Sequence, residues 1–172
     1  AAEMIAASLG GGGKLLFCGN GGSAGDSQHL AAEFVATLDH RRPRQGLAAL
    51  ALTTDTSFLT AYANDFGFEG VFARQLETLG CPGDVLVAIS TSGNSGNVVA
   101  ACKVARENGI RICAMTGEVN VQTKKTILSV GTGFDVFKFV DTDTNLIEIE
   151  DGVADNESVT VAVRSAIEAS VV

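Results

Sequence analysis

The chain has 172 residues and a mass of 17.7 kDa, with 46% hydrophobic and 19% charged residues, the composition of a folded protein rather than a disordered one. Its net charge of −8 and pI near 4.6 exclude a nucleic-acid-coating surface and an anionic-membrane binder. No stretch reaches the ~18 apolar residues of a membrane-spanning helix, and Ala1 to Leu9 lack the basic start of a secretion signal.

The length predicts one domain over 1–172. The chain starts without Met and soon enters the run Gly10–Gly13, so further residues are expected upstream. Cys18, Cys81, Cys102 and Cys113 form no CxxC pair, which suits reduced core thiols and a cytoplasmic location. Charge is unevenly spread: residues 134–172 carry 2 basic and 9 acidic side chains, against 10 and 11 in residues 1–133. A solvated acidic face is the ordinary source of such a shift.

Lys14 to Cys18 is a short apolar run and reads as a buried strand. Gly19-Asn20-Gly21-Gly22 breaks it, Ser23 is a natural N-cap, and Ala24 to Leu38 reads as a helix. Leu47 to Leu52 is a second strand. Ser57 to Ala63 and Gly70 to Leu79 read as helices around Asn64-Asp65-Phe66-Gly67-Phe68. Asp84 to Ile89 is a third strand, Val98 to Asn108 a helix stopped by Gly109, and Ile110 to Met115 a fourth strand. Asp135 to Val140 is the expected fifth strand and Glu157 to Val171 the last helix. Regular alternation of this kind predicts an α/β fold with a parallel sheet between two helical layers.

Ligands of open parallel sheets bind outside the carboxyl ends of the strands, and two loops there share one chemistry. Gly19-Asn20-Gly21-Gly22-Ser23 permits close backbone approach and leads into a helix N-terminus with free N–H groups. Ser90-Thr91-Ser92-Gly93-Asn94-Ser95 offers four hydroxyls and an amide before another helix, with no lysine. That suits a phosphate monoester on a small molecule, not a nucleotide-hydrolysing loop of the GxxxxGK[ST] type. Alone, each loop is equally a glycine turn or a Ser/Thr-rich cap. Gly19-x-Gly21-x-x-Ala24 also matches the relaxed dinucleotide fingerprint, but its acidic partner Asp39 would lie at a helix end rather than a strand tip.

Together, Cys18 to Ser23, then Asp26, His29 and Glu33, then Asn64 to Phe68, Pro82-Gly83-Asp84-Val85-Leu86 and Ile89 to Ser95 resemble the sugar isomerase (SIS) domain. Within that family they resemble its heptose-phosphate isomerase branch, over residues 12–117. The resemblance implies a three-layer sandwich around a five-stranded parallel sheet, preceded by a helical segment that is mostly absent here. It implies isomerisation of sedoheptulose 7-phosphate to D-glycero-D-manno-heptose 7-phosphate through an enediol, for surface-polysaccharide heptose. It also implies a cytoplasmic homo-oligomer, a tetramer with sites shared between subunits.

His29 and Glu33 project from one helix face, with Asp26 on the same side. By themselves they can share a metal, a proton or only solvent. The resemblance makes Glu33 the base that moves the proton between C1 and C2, and pairs it with His29 in holding zinc. It also implies that Thr54 and Asp55 contact sugar hydroxyls, that Asn20, Gly21, Gly22 and Ser23 line the cleft, and that Ser90, Thr91, Ser92 and Ser95 hold the phosphate. His40, Arg41, Arg42 and Arg44 read as a basic surface loop.

After Thr116-Gly117 the chain departs from the family. Glu118-Val119-Asn120 replaces a DGG-like turn. Aligning Asp143-Thr144 and Ile147-Glu148 with a family helix makes Glu148 the third zinc ligand, and the family's second histidine falls on Asn156. No histidine follows His40. A divergent enzyme using another acid, a SIS domain that binds phosphosugar without turnover, and an altered reading frame each account for this. The alternative reading is therefore a non-catalytic phosphosugar-binding or replication-initiator-associated SIS module. Ser92 counts against the latter, which tends to carry a bulkier basic residue there.

Overall fold

A computed structural model describes residues 1–37 and 39–116, together with the backbone of two strands at 136–140 and 146–150. Four strands, β1 (Leu15–Gly19), β2 (Ala49–Ala51), β3 (Val85–Ser90) and β4 (Arg111–Thr116), form a parallel sheet in the order β2-β1-β3-β4. Leu15 pairs with Val85 and Gly19 with Ile89, and Val85 pairs in turn with Arg111. β1 and β3 are buried at every position, which is why they read as unbroken apolar runs rather than alternating ones.

Alternate strand residues serve opposite layers. Leu15, Phe17, Val85, Val87 and Ile89 pack with Met4 and Ile5 of α1 (Ala2–Gly10) and with Leu30, Ala31 and Phe34 of α2 (Gly22–Val35). Leu16, Cys18, Leu86 and Ala88 pack with Val71, Phe72 and Leu76 of α4 (Val71–Leu79) and Val98, Ala101 and Ala105 of α5 (Gly96–Glu107). The expected three layers are present. Helix α3 (Thr56–Phe66) buries no residue. Burial pushes the Cys18 thiol well up, with Cys102 adding to the shift, and burial raises Cys102 to about 11. Both therefore behave as packing groups rather than nucleophiles.

The amino edge of the sheet is locked by a carboxylate. Asp84, 2% exposed, accepts from Lys14 Nζ at 2.6 Å, the Lys14 N–H at 2.9 Å and the Cys81 N–H at 2.8 Å. Burial pushes its carboxyl up, but these hydrogen bonds outweigh burial and hold it below its usual value. Ser8 Oγ donates to Gly83 O and Arg111 Nη2 to Met4 O, fastening α1 to the same edge.

Four expectations change. The helix Ala2–Gly10 is an additional element. α2 stops at Val35 rather than Leu38, and α3 runs on to Phe66 instead of breaking at Asn64. The expected fifth parallel strand forms as β5 (Val136–Val140) but pairs antiparallel with β6 (Leu146–Glu150), Val140 opposite Leu146. Only residues 141–145 separate the two, too few for the crossover of a dozen or more residues that a parallel pair requires. Glu148 consequently lies on a strand, opposite Lys138, and not on the helix that its alignment implied. Residues 117–135 and 151–172, including the expected last helix and Asn156, lie outside the described residues.

Candidate functional site

The chain leaves β1 through α2 to β2 on one side and leaves β3 through α5 to β4 on the other. The crevice between the carboxyl ends of β1 and β3 is thus the topological switch point, where open α/β sheets bind ligands. Both loops singled out in the sequence end there.

The loop after β1 depends on glycine at two positions. A Cβ at Gly19 would lie 2.7 Å from Ser23 Cβ and 2.9 Å from Ile89 O, so only glycine lets the first turn of α2 settle against the sheet. Gly21 takes φ 58° and ψ −119° as the N-cap of α2, a backbone that side chains disfavour. Asn20 is not a free cleft group. Its Nδ2 donates to Asn97 Oδ1 and its Oδ1 accepts from Asn97 Nδ2, both at 2.8 Å.

In the loop after β3, Ser90 Oγ and Ser95 Oγ lie 2.9 Å apart. The Gly93 N–H donates to Ser90 O, and Asn94 closes on Ser92 through its N–H and its Nδ2. Ser90 is buried, Ser95 half-buried, and Thr91 and Ser92 are exposed. Ser95 N-caps α5 without using its hydroxyl as a cap. The loop therefore presents hydroxyls and first-turn N–H groups of α5, with no cationic side chain in it, a cradle for an oxyanion.

Thr54 and Asp55 stand after β2 at the same edge. Asp55 Oδ1 accepts from the Phe58 N–H at 2.9 Å and so N-caps α3, while Thr54 Oγ1 donates to Ala51 O. Gln28 Nε2 reaches Thr53 Oγ1 at 3.3 Å and ties this loop to α2.

His29 and Glu33 lie further along α2. His29 Nε2 is 4.0 Å from Glu33 Oε1, with the imidazole 73% and the carboxylate 24% exposed. Asp26 is exposed on the turn before. Glu33 Oε2 is buried and has no hydrogen-bond partner. The basic run is not wholly a surface loop. Arg44 donates from Nη2 to Glu33 O at 2.7 Å and from Nη1 to Phe34 O at 2.9 Å, closing the end of α2. Burial lowers the Arg44 guanidinium from its usual value, and the Glu33 charge opposes that shift. Among the described residues, no group of three His, Cys, Asp or Glu side chains is placed to hold a metal ion. The side chain of Glu148 is not among them.

One separation matters. α2 starts at the carboxyl edge, and Glu33 follows Gly22 by eleven residues, about 16 Å at ~1.5 Å per residue. The Leu47 N–H donates to Phe34 O shortly before β2 opens, so this end of α2 lies at the amino edge. Within one chain, the structure places Asn20 to Ser23, Thr54, Asp55 and Ser90 to Ser95 at one edge and Glu33 with His29 away from it. Asn97 and Arg44 are the residues that sequence reasoning missed.

Comparisons with known proteins show the family and agree with the fold. Residues 1–117 match the family model described as SIS domain. A phosphoheptose isomerase of Roseiflexus sp. (strain RS-1) is 58% identical over 116 residues, 67% of this chain and 58% of the relative. One from Nitratidesulfovibrio vulgaris is 60% identical over 116 residues, 67% of this chain and 55% of the relative. The solved phosphoheptose isomerase from Neisseria gonorrhoeae superposes with a TM-score of 0.62 at 53% identity, covering 68% of this chain and 59% of that one. The chain therefore spans between 55% and 59% of the length of these relatives. With its parallel sheet, its hydroxyl-rich loop at the switch point and a family match over most of its length, the chain belongs to the SIS domain family.

Proposed function

We propose that the protein is a phosphosugar aldose–ketose isomerase that converts sedoheptulose 7-phosphate to D-glycero-D-manno-heptose 7-phosphate. The observation that carries this reading is the Ser90–Ser95 cradle at the β1/β3 switch point, in a chain whose relatives are phosphoheptose isomerases. In this reading Ser90, Thr91, Ser92 and Ser95 hold the phosphate, and that remote grip orients the sugar. Gly21, Gly22 and Ser23 form the adjacent wall, with Thr54 and the second oxygen of Asp55 toward the sugar hydroxyls. The Glu33 carboxylate takes a proton from C1, beside the C2 carbonyl, and returns it to C2, while the hydroxyl proton passes from O1 to O2, so the enediol collapses to the aldose with no net loss of atoms.

The site is completed between copies of the chain. Glu33 is too far along α2 to meet a sugar phosphate held by its own cradle, so a neighbouring subunit supplies it. An exposed aromatic face offers contact area for such an assembly. Along α3, Phe58 stacks on Tyr62 at 5.4 Å and Phe66 lies tilted against Tyr62 at 5.0 Å, with Phe66 75% and Phe68 55% exposed, the kind of patch that marks association. A tetramer is the assembly we propose. Mixing inactive Glu33→Gln chains with inactive Ser90→Ala/Ser95→Ala chains should restore roughly a quarter of wild-type turnover, because random assembly rebuilds that share of shared sites. No recovery on mixing would place each site within one chain.

Zinc fits in kind. A His nitrogen and a carboxylate one helical turn apart are zinc donors, and the orphaned Glu33 Oε2 is an acceptor awaiting a partner. His29 and Glu33 would hold it, with Glu148 the proposed third donor. When bound, zinc would polarise the substrate carbonyl. Metal analysis should find zinc in the wild type and lose it in His29→Ala; zinc absent from both would remove the metal from the reading.

The second reading, a SIS module that binds phosphosugar without turning it over, is favoured by the absence of any histidine after His40 and by the strand at Leu146–Glu150. Saturable binding of sedoheptulose 7-phosphate without product would select it. A cytoplasmic location is part of the proposal and follows from the substrate.

A further inference from the structure

The crevice is bridged by a pair of residues, of which family likeness had given only Asn20 a role, as a cleft-lining group. Asn20 stands in the loop after β1 and Asn97 in the first turn of α5, 77 residues apart in the chain. Their side-chain amides pair reciprocally, each donating to and accepting from the other at 2.8 Å. Asn97 is 4% exposed, and its Oδ1 also accepts from the Val98 N–H at 3.0 Å. The amide plane of Asn97 is thereby fixed from two sides. The pair is the direct side-chain link between the β1 loop and the helix whose N-terminus forms the anion cradle.

We infer that Asn97 is a positioning residue: with Asn20 it clasps the two ligand loops and fixes the distance between the anion grip and the wall that receives the sugar. This rests on the phosphosugar reading. The neighbouring strands hold the loops at their roots, where Gly19 pairs with Ile89. Beyond that point the backbones diverge into separate helices, α2 and α5, and the clasp sets their separation. An inorganic anion engages the cradle alone and does not depend on that separation. A sugar phosphate spans both loops and does, because misplacement of about 1 Å is enough to cost on the order of 10²-fold in a positioned complex.

The test compares two ligands on the full chain by calorimetry: inorganic phosphate and sedoheptulose 7-phosphate. In Asn97→Ala, affinity for the sugar phosphate should fall at least ~10-fold while affinity for inorganic phosphate moves less than ~3-fold. A residue serving only folding would shift both alike. Asn20→Ala is the second variant. It leaves the Val98 N–H with its partner, and so keeps the test open if Asn97→Ala does not fold. The double variant should lose no more than either single one, since both break the same clasp. If the wild type prefers the sugar phosphate and both single variants keep that preference, the clasp is overturned and the functional reading stands. Losses that add in the double variant likewise overturn it. If the wild type shows no preference for the sugar phosphate, the phosphosugar reading fails and the clasp's role falls with it.

Discussion

The two edges of the sheet are built on opposite rules. At the amino edge, polar groups are closed on one another: Asp84 takes three hydrogen bonds, Ser8 reaches Gly83 O and Arg111 reaches Met4 O. At the carboxyl edge, the loops leave Thr91, Ser92 and Asn94 exposed, and a few side-chain contacts, among them the Asn20–Asn97 pair, the Ser90–Ser95 contact and Gln28 on Thr53, tie the loops together. The same four strands supply both edges. One end is finished internally and stabilises the fold; the other is where the proposed ligand binds. Glu33 breaks the pattern. Its buried Oε2 is the orphaned side-chain oxygen among the described residues, at the end of α2 away from the cradle, and the proposed shared site rests on that position.

If the edges divide stability from binding, substitutions at one should leave the other's property alone. The largest effect is expected at Asp84. Asp84→Ala strands the Lys14 ammonium and two backbone N–H donors, and should cost about 3 kcal/mol, the lower end for a broken buried pair because Lys14 is partly exposed. Thermal unfolding would show it, with phosphosugar affinity unchanged at a temperature where the variant is folded. The sign with pH follows from the lowered carboxyl of Asp84. Its contribution is full above the unfolded value of about 3.9 and is lost as pH falls through the lower folded value. Wild-type melting temperature should therefore drop steeply below about pH 4, and the drop should be shallower in Asp84→Asn.

At the other edge, Ser90→Ala/Ser95→Ala should weaken sedoheptulose 7-phosphate binding on the order of 10²-fold, since hydrogen bonds to a charged group are worth ~1.5–3 kcal/mol each. Calorimetry at constant pH measures it, and unchanged affinity would remove the cradle. Its melting temperature should stay close to wild type.

The smallest effect sharpens the comparison. Gly21→Ala meets no atom within 4 Å, so its cost is the positive φ alone, about 1 kcal/mol of stability. Because the strain sits in the loop itself, phosphosugar affinity should fall too, unlike at Asp84. A neutral result in both assays would show that the loop relaxes freely.

The sequence revealed β1 and β3 because each is an almost unbroken apolar run, and it revealed the loops because glycine and hydroxyl clusters interrupt them. It concealed whatever depends on distant partners. Asn97 is one polar residue inside a helix start, and its partner lies 77 positions away. Arg44 sat in a basic run that resembled a solvated loop, yet α2 ends at Val35 without a glycine cap, so its last carbonyls needed another donor. That missing cap was the available signal. The antiparallel β5–β6 pairing could have been read from Asp141-Thr142-Asp143-Thr144-Asn145, a turn-rich stretch of hairpin length. Helical spacing correctly joined His29 to Glu33 but said nothing of how far along α2 they lie from the cradle.

The central claim is that this chain moves a proton on the carbon skeleton of a sugar phosphate, and solvent isotope exchange tests it most directly. Sedoheptulose 7-phosphate incubated with the protein in D2O should acquire deuterium at C1 and yield heptose 7-phosphate labelled at C2, with both signals reduced ~10²–10⁴-fold in Glu33→Gln. Substrate recovered unlabelled from the wild type, with no heptose 7-phosphate formed, would contradict the claim.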